Sequence, residues 1–287
     1  MDADTNPRKT ILIVLAHPDD ESFGMGGTIA YYDTQGVDVH LICATRGEAG
    51  TVDPEYLAKY KTIAELREAE LMRAAEALGL KSVIFLNYRD SGMVGSEDNT
   101  NPQALVQAPL EQVAGRIVAE IRRLKPQVVV TFDETGGYYH PDHIHIHQAT
   151  LAAFHAAGDA TQYPAAGAAY QPAKLYVSAR NRARLRRAVF LMRLVGKDPS
   201  KVGRNKDIDL TRLARDKDTA PHVTINYRRV QARKDQADAA HASQGGGRFI
   251  GSNLLEVIAR WLGNKDRFTR IYPPTPDSYR ATDLFAD

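Results

Sequence analysis

The chain has 287 residues, 43% of them hydrophobic and 25% charged, with a formal net charge of +2. Those are ordinary values for a soluble globular protein, and no apolar stretch approaches the ~20 residues of a membrane span. The charge balance argues neither for nor against a nucleic-acid partner. The N-terminal Met1-Asp2-Ala3-Asp4 segment is polar and acidic, unlike a signal peptide, and the single cysteine, Cys43, can form no internal disulfide. Cys43 reads as a small core residue, and together these features predict a cytoplasmic protein.

The first element is the unbroken apolar run Ile11-Leu12-Ile13-Val14-Leu15, which predicts a strand buried on both faces of a parallel sheet. It stops abruptly at Ala16-His17-Pro18-Asp19-Asp20-Glu21. The C-terminal edge of such a strand is where open α/β sheets hold ligands. Imidazole with carboxylate suits zinc, and a spare carboxylate beside a metal can move a proton. If a helical turn begins near Pro18, His17 and Asp20 fall on one face and grip one ion. Asp19 then reaches over the metal, and Glu21 and Ser22 are placed to cap backbone donors. A plain acidic helix start would explain the acids but not the histidine.

A helix follows over Gly24–Gln35, with Gly26-Gly27 allowing close packing, then a strand over Val37–Ala44. Lys59–Leu78 has the spacing of a long amphipathic helix ended by Gly79, and Ser82–Leu86 reads as a third strand. Asn87–Pro109, rich in Asp, Ser, Gly and Asn, is longer than most connections and so is expected to be functional. Pro109–Lys125 reads as a helix, Gln127–Phe132 as a strand, and Asp142–Ala157 as a helix. The alternation predicts an α/β, Rossmann-like, mostly parallel sheet flanked by helices, with a smaller C-terminal extension. Residues 1–160 form the expected catalytic core, and 161–287 complete the sheet and pocket.

Within the loop before that last helix lies a second cluster, Tyr138-Tyr139-His140-Pro141-Asp142-His143. One of its histidines, joining His17 and Asp20, would make three protein ligands and leave a position open for water, as in catalytic zinc sites. The other histidine would face the substrate. His145 and His147 alternate with Ile and read as packing or surface positions, and His40, His155 and His222 as ordinary strand or helix residues.

Beyond Gly158 the pattern loosens. Lys174–Ser178 and Val223–Asn226 read as strands, Arg228–Ala242 and Asn253–Leu262 as helices, Gly245-Gly246-Gly247 as a hinge, and the chain from Tyr272 as extended. A basic stretch near 180–220 carries Arg180, Arg182, Arg184, Arg186, Arg187, Arg193, Lys197, Lys201, Arg204 and Lys206. No aromatic residues are interleaved for base stacking, so it reads as a solvated insertion or lid whose charges face water. No nucleic-acid or membrane partner is expected, and a homo-oligomer is left open.

The two motifs, in this order and each after a strand, resemble the PIG-L (LmbE-like) superfamily of zinc-dependent N-acetylglucosamine deacetylases. Arg89-Asp90-Ser91-Gly92-Met93, Gly136-Gly137-Tyr138 and Ala240-His241-Ala242-Ser243-Gln244 are similar to segments of the mycothiol-pathway deacetylase and of the mycothiol S-conjugate amidase. The likeness covers roughly residues 10–160 well and patches afterwards. It implies His17, Asp20 and His143 as ligands of Zn2+, or of another divalent ion such as Fe2+, and Asp19 as the general base. It implies His140 as the group that stabilises the oxyanion and assists the leaving amine, Asp142 as the residue orienting and tuning His140, and Tyr138 as a mobile oxyanion donor. Arg67, Asp90 and Met93 match positions that face the sugar; for Arg67 and Asp90 the competing reading is a pair of scaffold ions. The implied activity is removal of acetyl from a small N-acetylglucosaminyl substrate, with hydrolysis of a larger thiol-conjugate amide as the alternative. A nucleotide-binding sheet domain is disfavoured, because no Gly-x-Gly-x-x-Gly follows the first strand and acids there would repel a pyrophosphate.

Overall fold

A computed structural model describes residues 8–179, 182–202, 208–216, 220–247 and 263–287. Strand β1 (Thr10–Leu15) is buried at every position. It is followed by α1 (Asp20–Thr34), β2 (Asp38–Cys43), α2 (Ile63–Leu78), β3 (Ser82–Phe85), α3 (Leu110–Leu124), β4 (Val128–Thr131) and α4 (Pro141–Ala157). Then come β5 (Lys174–Ser178), α5 (Arg182–Leu194), α6 (Leu210–Leu213), β6 (Val223–Asn226), α7 (Gln231–Ala240) and β7 (Lys265–Tyr272). The helix expected over Asn253–Leu262 lies outside the described residues.

The seven strands among the described residues belong to one sheet in the order β3-β2-β1-β4-β5-β7-β6. β3 through β5 run parallel, while β7 is antiparallel to β5 and β6 to β7. The chain after residue 160 thus extends the same sheet rather than starting another. The order also fixes the site. From β1 the chain moves outward to β2 and β3, then returns to the other side of β1 with β4, paired Ile13 to Val130. Crevices open at the C-terminal ends of strands where the direction of winding reverses. The residues after β1 and after β4 therefore face one another across the switch point.

Helix boundaries shift from expectation for local reasons. α1 starts at Asp20, four residues before the expected Gly24, with Asp20 and Glu21 in its first turn where the helix dipole favours acids. The helix expected from Lys59 is a 3₁₀ turn over Pro54–Lys59, a break, and then α2, whose cap residue Thr62 accepts the Glu65 amide. α7 is shorter than expected and is flanked by 3₁₀ turns. Gly27 lets Tyr227 lie on α1; a Cβ there would stand 2.1 Å from the tyrosine ring. Cys43 is fully buried, and burial holds its thiol well above the usual range, so it remains a protonated core residue. Among the described residues no helix is long and apolar enough to cross a membrane.

In the basic insertion Arg186, Arg187, Arg193, Lys197 and Lys201 are exposed, as the sequence predicts, and Arg182 is the exception among the described residues. Arg182 is buried and donates to the Leu213 carbonyl and to Asp216. Asp216 also accepts the Tyr139 hydroxyl, and Arg212 lies 3.6 Å over the Tyr139 ring. Arg182 thus faces the protein and holds Asp216, while Asp216 and the exposed Arg212 tie the insertion, through Tyr139, to the loop that carries Tyr138 and His140.

Candidate metal centre and active site

The β1 end supplies His17, Asp19 and Asp20, and the β4 end supplies Tyr138, His140, Asp142 and His143. His17 Nδ1 lies 3.1 Å from His143 Nε2. Asp20 adds one carboxylate oxygen 3.6 Å from His17 Nδ1 and the other 3.3 Å from His143 Nε2. The remaining ring nitrogens decide the protonation states. His143 Nδ1 is 2.9 Å from the Gly136 carbonyl, which only accepts, so Nδ1 carries the proton. His17 Nε2 is 3.1 Å from Asp142 Oδ2 and 3.3 Å from Asp90 Oδ1, which likewise demand a proton there. In the neutral rings two lone pairs therefore point at each other beside a carboxylate. That donor set fits a divalent cation, and carbonyl or carboxylate partners on the far nitrogens are the usual support for ligating histidines.

Electrostatics point the same way, since the carboxylates of Asp19, Asp20, Asp90 and Asp142 crowd this point. Burial alone would lower His17, yet the Asp90 charge and hydrogen bonds with Asp142 and Asp20 hold it well above the usual range. Burial likewise opposes ionisation of Asp20, but His143 and His17 hold it well below the usual carboxylate range. The pocket favours positive charge at its centre.

His17, His140 and His143 also lie close enough to share an ion by distance alone. His140 is excluded by its partner: its Nδ1 accepts the Asp142 backbone amide at 3.2 Å, so a neutral ring carries its proton on Nε2 and donates. Burial, then the charges of His17 and His143, hold His140 well below the usual histidine range and keep it neutral. Asp142 orients His140 through that amide. Its carboxylate Oδ2 faces His17 and accepts the Ser91 amide at 3.0 Å. Tyr138 is half-buried, its ring 5.0 Å from that of His143 and 5.8 Å from that of His140. Burial raises its hydroxyl, which stays protonated as a donor.

Asp19 is the strained member, with φ of 114° and ψ of −27°, a conformation that costs a non-glycine residue about 1–3 kcal/mol. Burial pushes its carboxyl up to about 6, against the pull of Arg67. Arg67 donates 3.0 Å to Asp19 Oδ2, 2.5 Å to the Pro18 carbonyl and 3.1 Å to the Gly47 carbonyl. Gly47 is required here, since its φ is +69° and a Cβ would stand 1.9 Å from the guanidinium. These bonds make Arg67 a brace for Asp19. Asp90 spends Oδ1 on His17 and on the Gly92 amide. Both residues nonetheless line a polar cavity of about 380 Å³ with Met93, Ser96, His140 and Gln244. A second cavity, about 510 Å³, meets it at Asp19 and Tyr138 and is walled by Phe23, Met25, Phe132 and Phe268. His147 bonds the Phe132 carbonyl and lies apart from the cluster.

Glu21 caps a backbone donor as the sequence predicts, its Oε2 accepting the Asp19 amide at 3.0 Å, but the buried partners below it are not read from the sequence. Glu21 and His241 form a buried pair at 2.7 Å, and Glu70 accepts both the amide and the hydroxyl of Ser243. One signal was available: Arg67 and Glu70 sit three apart on the face of α2 that also buries Leu66, Leu71 and Ala74. A charged pair on an apolar helix face is placed there for partners inside.

Residues 12–154 match the PIG-L family, described as GlcNAc-PI de-N-acetylase. A curated relative in Geodermatophilus obscurus, 1D-myo-inositol 2-acetamido-2-deoxy-alpha-D-glucopyranoside deacetylase, is 38% identical over 83% of each chain. The chain belongs to the PIG-L family. A protein of the same name in Thermobifida fusca is 36% identical and aligns over 97% of this chain and 99% of its own. Among solved structures, the N,N'-diacetylchitobiose deacetylase of Pyrococcus horikoshii superposes with a TM-score of 0.61, at 19% identity, over 92% of this chain and 84% of that one; at that identity the likeness is one of fold.

Proposed function

We propose that this protein is a divalent-metal-dependent de-N-acetylase that hydrolyses the acetamide of a small N-acetylglucosaminyl compound, the inositol-linked one named for its curated relatives. The observation that carries the reading is the pair of facing imidazole lone pairs of His17 and His143 with Asp20, next to an ionisable Asp19 that opens on a polar cavity. His17, Asp20 and His143 would hold the ion, and a set of two nitrogens and a carboxylate suits zinc. When bound, such an ion polarises the amide carbonyl and makes water easier to deprotonate.

The protein's own groups do the rest. Asp19 takes a proton from the attacking water, and burial raises its proton affinity enough to accept it and pass it on to the departing amine. The Tyr138 hydroxyl and His140 Nε2–H donate to the oxygen on which charge develops. Asp142 and Asp90 keep His17 in one tautomer. Thr51, Ser96, Met93 and Asp90 line the space for the sugar.

The larger-amide reading has one observation in its favour: the adjoining 510 Å³ cavity exceeds what a methyl group needs. The test is metal analysis with acetate release from the inositol-linked N-acetylglucosaminide, set against amine release from a thiol-conjugate amide. Acetate release dependent on a bound divalent ion supports the deacetylase, and cleavage of the thiol conjugate alone replaces it with the amidase.

A further inference from the structure

We propose that Glu21 and His241 are a positioning couple for Asp19, one that makes the C-terminal half of the chain part of the catalytic base's support. The inference rests on the reading of Asp19 as the base. Asp19 holds a left-handed backbone conformation that an L-residue keeps only when its surroundings impose it. Its amide donates 3.0 Å to Glu21 Oε2. The other Glu21 oxygen is taken by His241 Nε2 at 2.7 Å and by the Ser22 hydroxyl at 2.6 Å. A carboxylate tied at both oxygens cannot rotate, so the acceptor for the Asp19 amide is fixed in space. Arg67 then holds Asp19 Oδ2, and Oδ1 takes no hydrogen bond from the described residues.

His241 comes from far away in the chain. It is the residue that ends α7, which packs across α1 and α2, and it stands 220 positions from Glu21. Both side chains are fully buried, and the Phe23 ring stands edge-on to the imidazole at 5.9 Å. Anchoring the 240–244 segment does not require this contact, because Ser243 already bonds Glu70 through its amide at 2.8 Å and its hydroxyl at 2.7 Å. What the His241 bond adds is control of the Glu21 carboxylate. The couple touches neither cavity's reacting atoms, so it acts through Asp19.

The test compares His241→Ala, His241→Gln and Ser243→Ala in metal-loaded full-length protein, with crystal structures of each. His241→Ala should lower kcat about ten- to hundredfold, the scale of a misplaced catalytic group, with KM changed less than about threefold and metal content unchanged. Its structure should show Glu21 turned and Asp19 relaxed from positive φ. His241→Gln, whose amide N–H reaches Glu21, should recover much of the loss, and Ser243→Ala should stay within about threefold of the parent. The proposal is overturned if His241→Ala keeps kcat, if the loss falls on KM or metal, or if Ser243→Ala reproduces it. Should His241→Ala fail to fold, His241→Asn, too short to reach Glu21, takes its place with the same expectations. If the parent protein releases no acetate, the functional reading falls, while the Asp19 conformation in the variant still decides the couple.

Discussion

The two ends that build the site are written almost alike, His17-Pro18-Asp19-Asp20 after β1 and His140-Pro141-Asp142-His143 after β4, yet their residues take different places. After β1 the helix begins at Asp20, so His17 lies three residues ahead of it and Asp19 becomes the strained cap. After β4 the helix begins at Pro141, so His140 is itself the cap and Asp142 falls within the first turn. The first motif thereby aims its histidine at the centre and its first aspartate at the cavity. The second aims its histidine at the cavity and turns its aspartate inward onto His17. A shift in where a helix starts has exchanged the roles of the same residue types.

The comparison is broken most severely if the two aspartates behave alike. Asp19→Ala should keep the metal and lower kcat by roughly 10²–10⁴-fold, read by metal analysis alongside turnover. Asp142→Ala should instead weaken metal affinity by about 10–100-fold, measured by competition with a chelator, because it removes the partner that holds His17. The histidines should divide in the opposite sense. His17→Ala should empty the site, whereas His140→Ala should retain metal and lower kcat about 10²–10³-fold with little change in KM. A smaller effect concerns pH. Asp19 accepts a proton only when ionised, so turnover should fall on the acid side of the pH profile as Asp19 takes up its proton, a limb that burial shifts upward. Arg67 opposes that shift, so Arg67→Met should move the acid limb to higher pH in a pH–rate profile. The least effect belongs to Pro141→Ala at the first position of α4. It should cost about 0.4–1 kcal/mol in denaturant unfolding and leave turnover near normal.

Much of this was legible beforehand, and unevenly. β1 and β4 are short, largely apolar runs buried on both faces, and such runs are hidden within a covered sheet. Both clusters announced a site because histidine and aspartate together at a strand end are costly to bury without a purpose. Less legible was where charges would go. Arg67 and Asp90 read equally as sugar contacts and as scaffold ions, and the choice depends on which backbone carbonyls and rings stand within 3 Å. The insertion near 180–220 read as solvated because sequence pattern reports composition; the bonds of Arg182 and Arg212 depend on Asp216 and Tyr139, which are remote or adjacent only after folding.

The sequence by itself determined the parallel part of the sheet, the side of it on which chemistry sits, and the residue types gathered there, because local periodicity and the placement of polar groups at strand ends are properties of short stretches of chain; β7, which joins β5 to β6 antiparallel, was not among its strands. The tertiary structure alone decided which nitrogen of each histidine is free, that Asp142 serves His17, and that Glu21 meets His241 across 220 positions. Those outcomes depend on a few tenths of an ångström between groups brought together only when β1 and β4 pair and α7 closes over α1 and α2, and no local pattern carries that information.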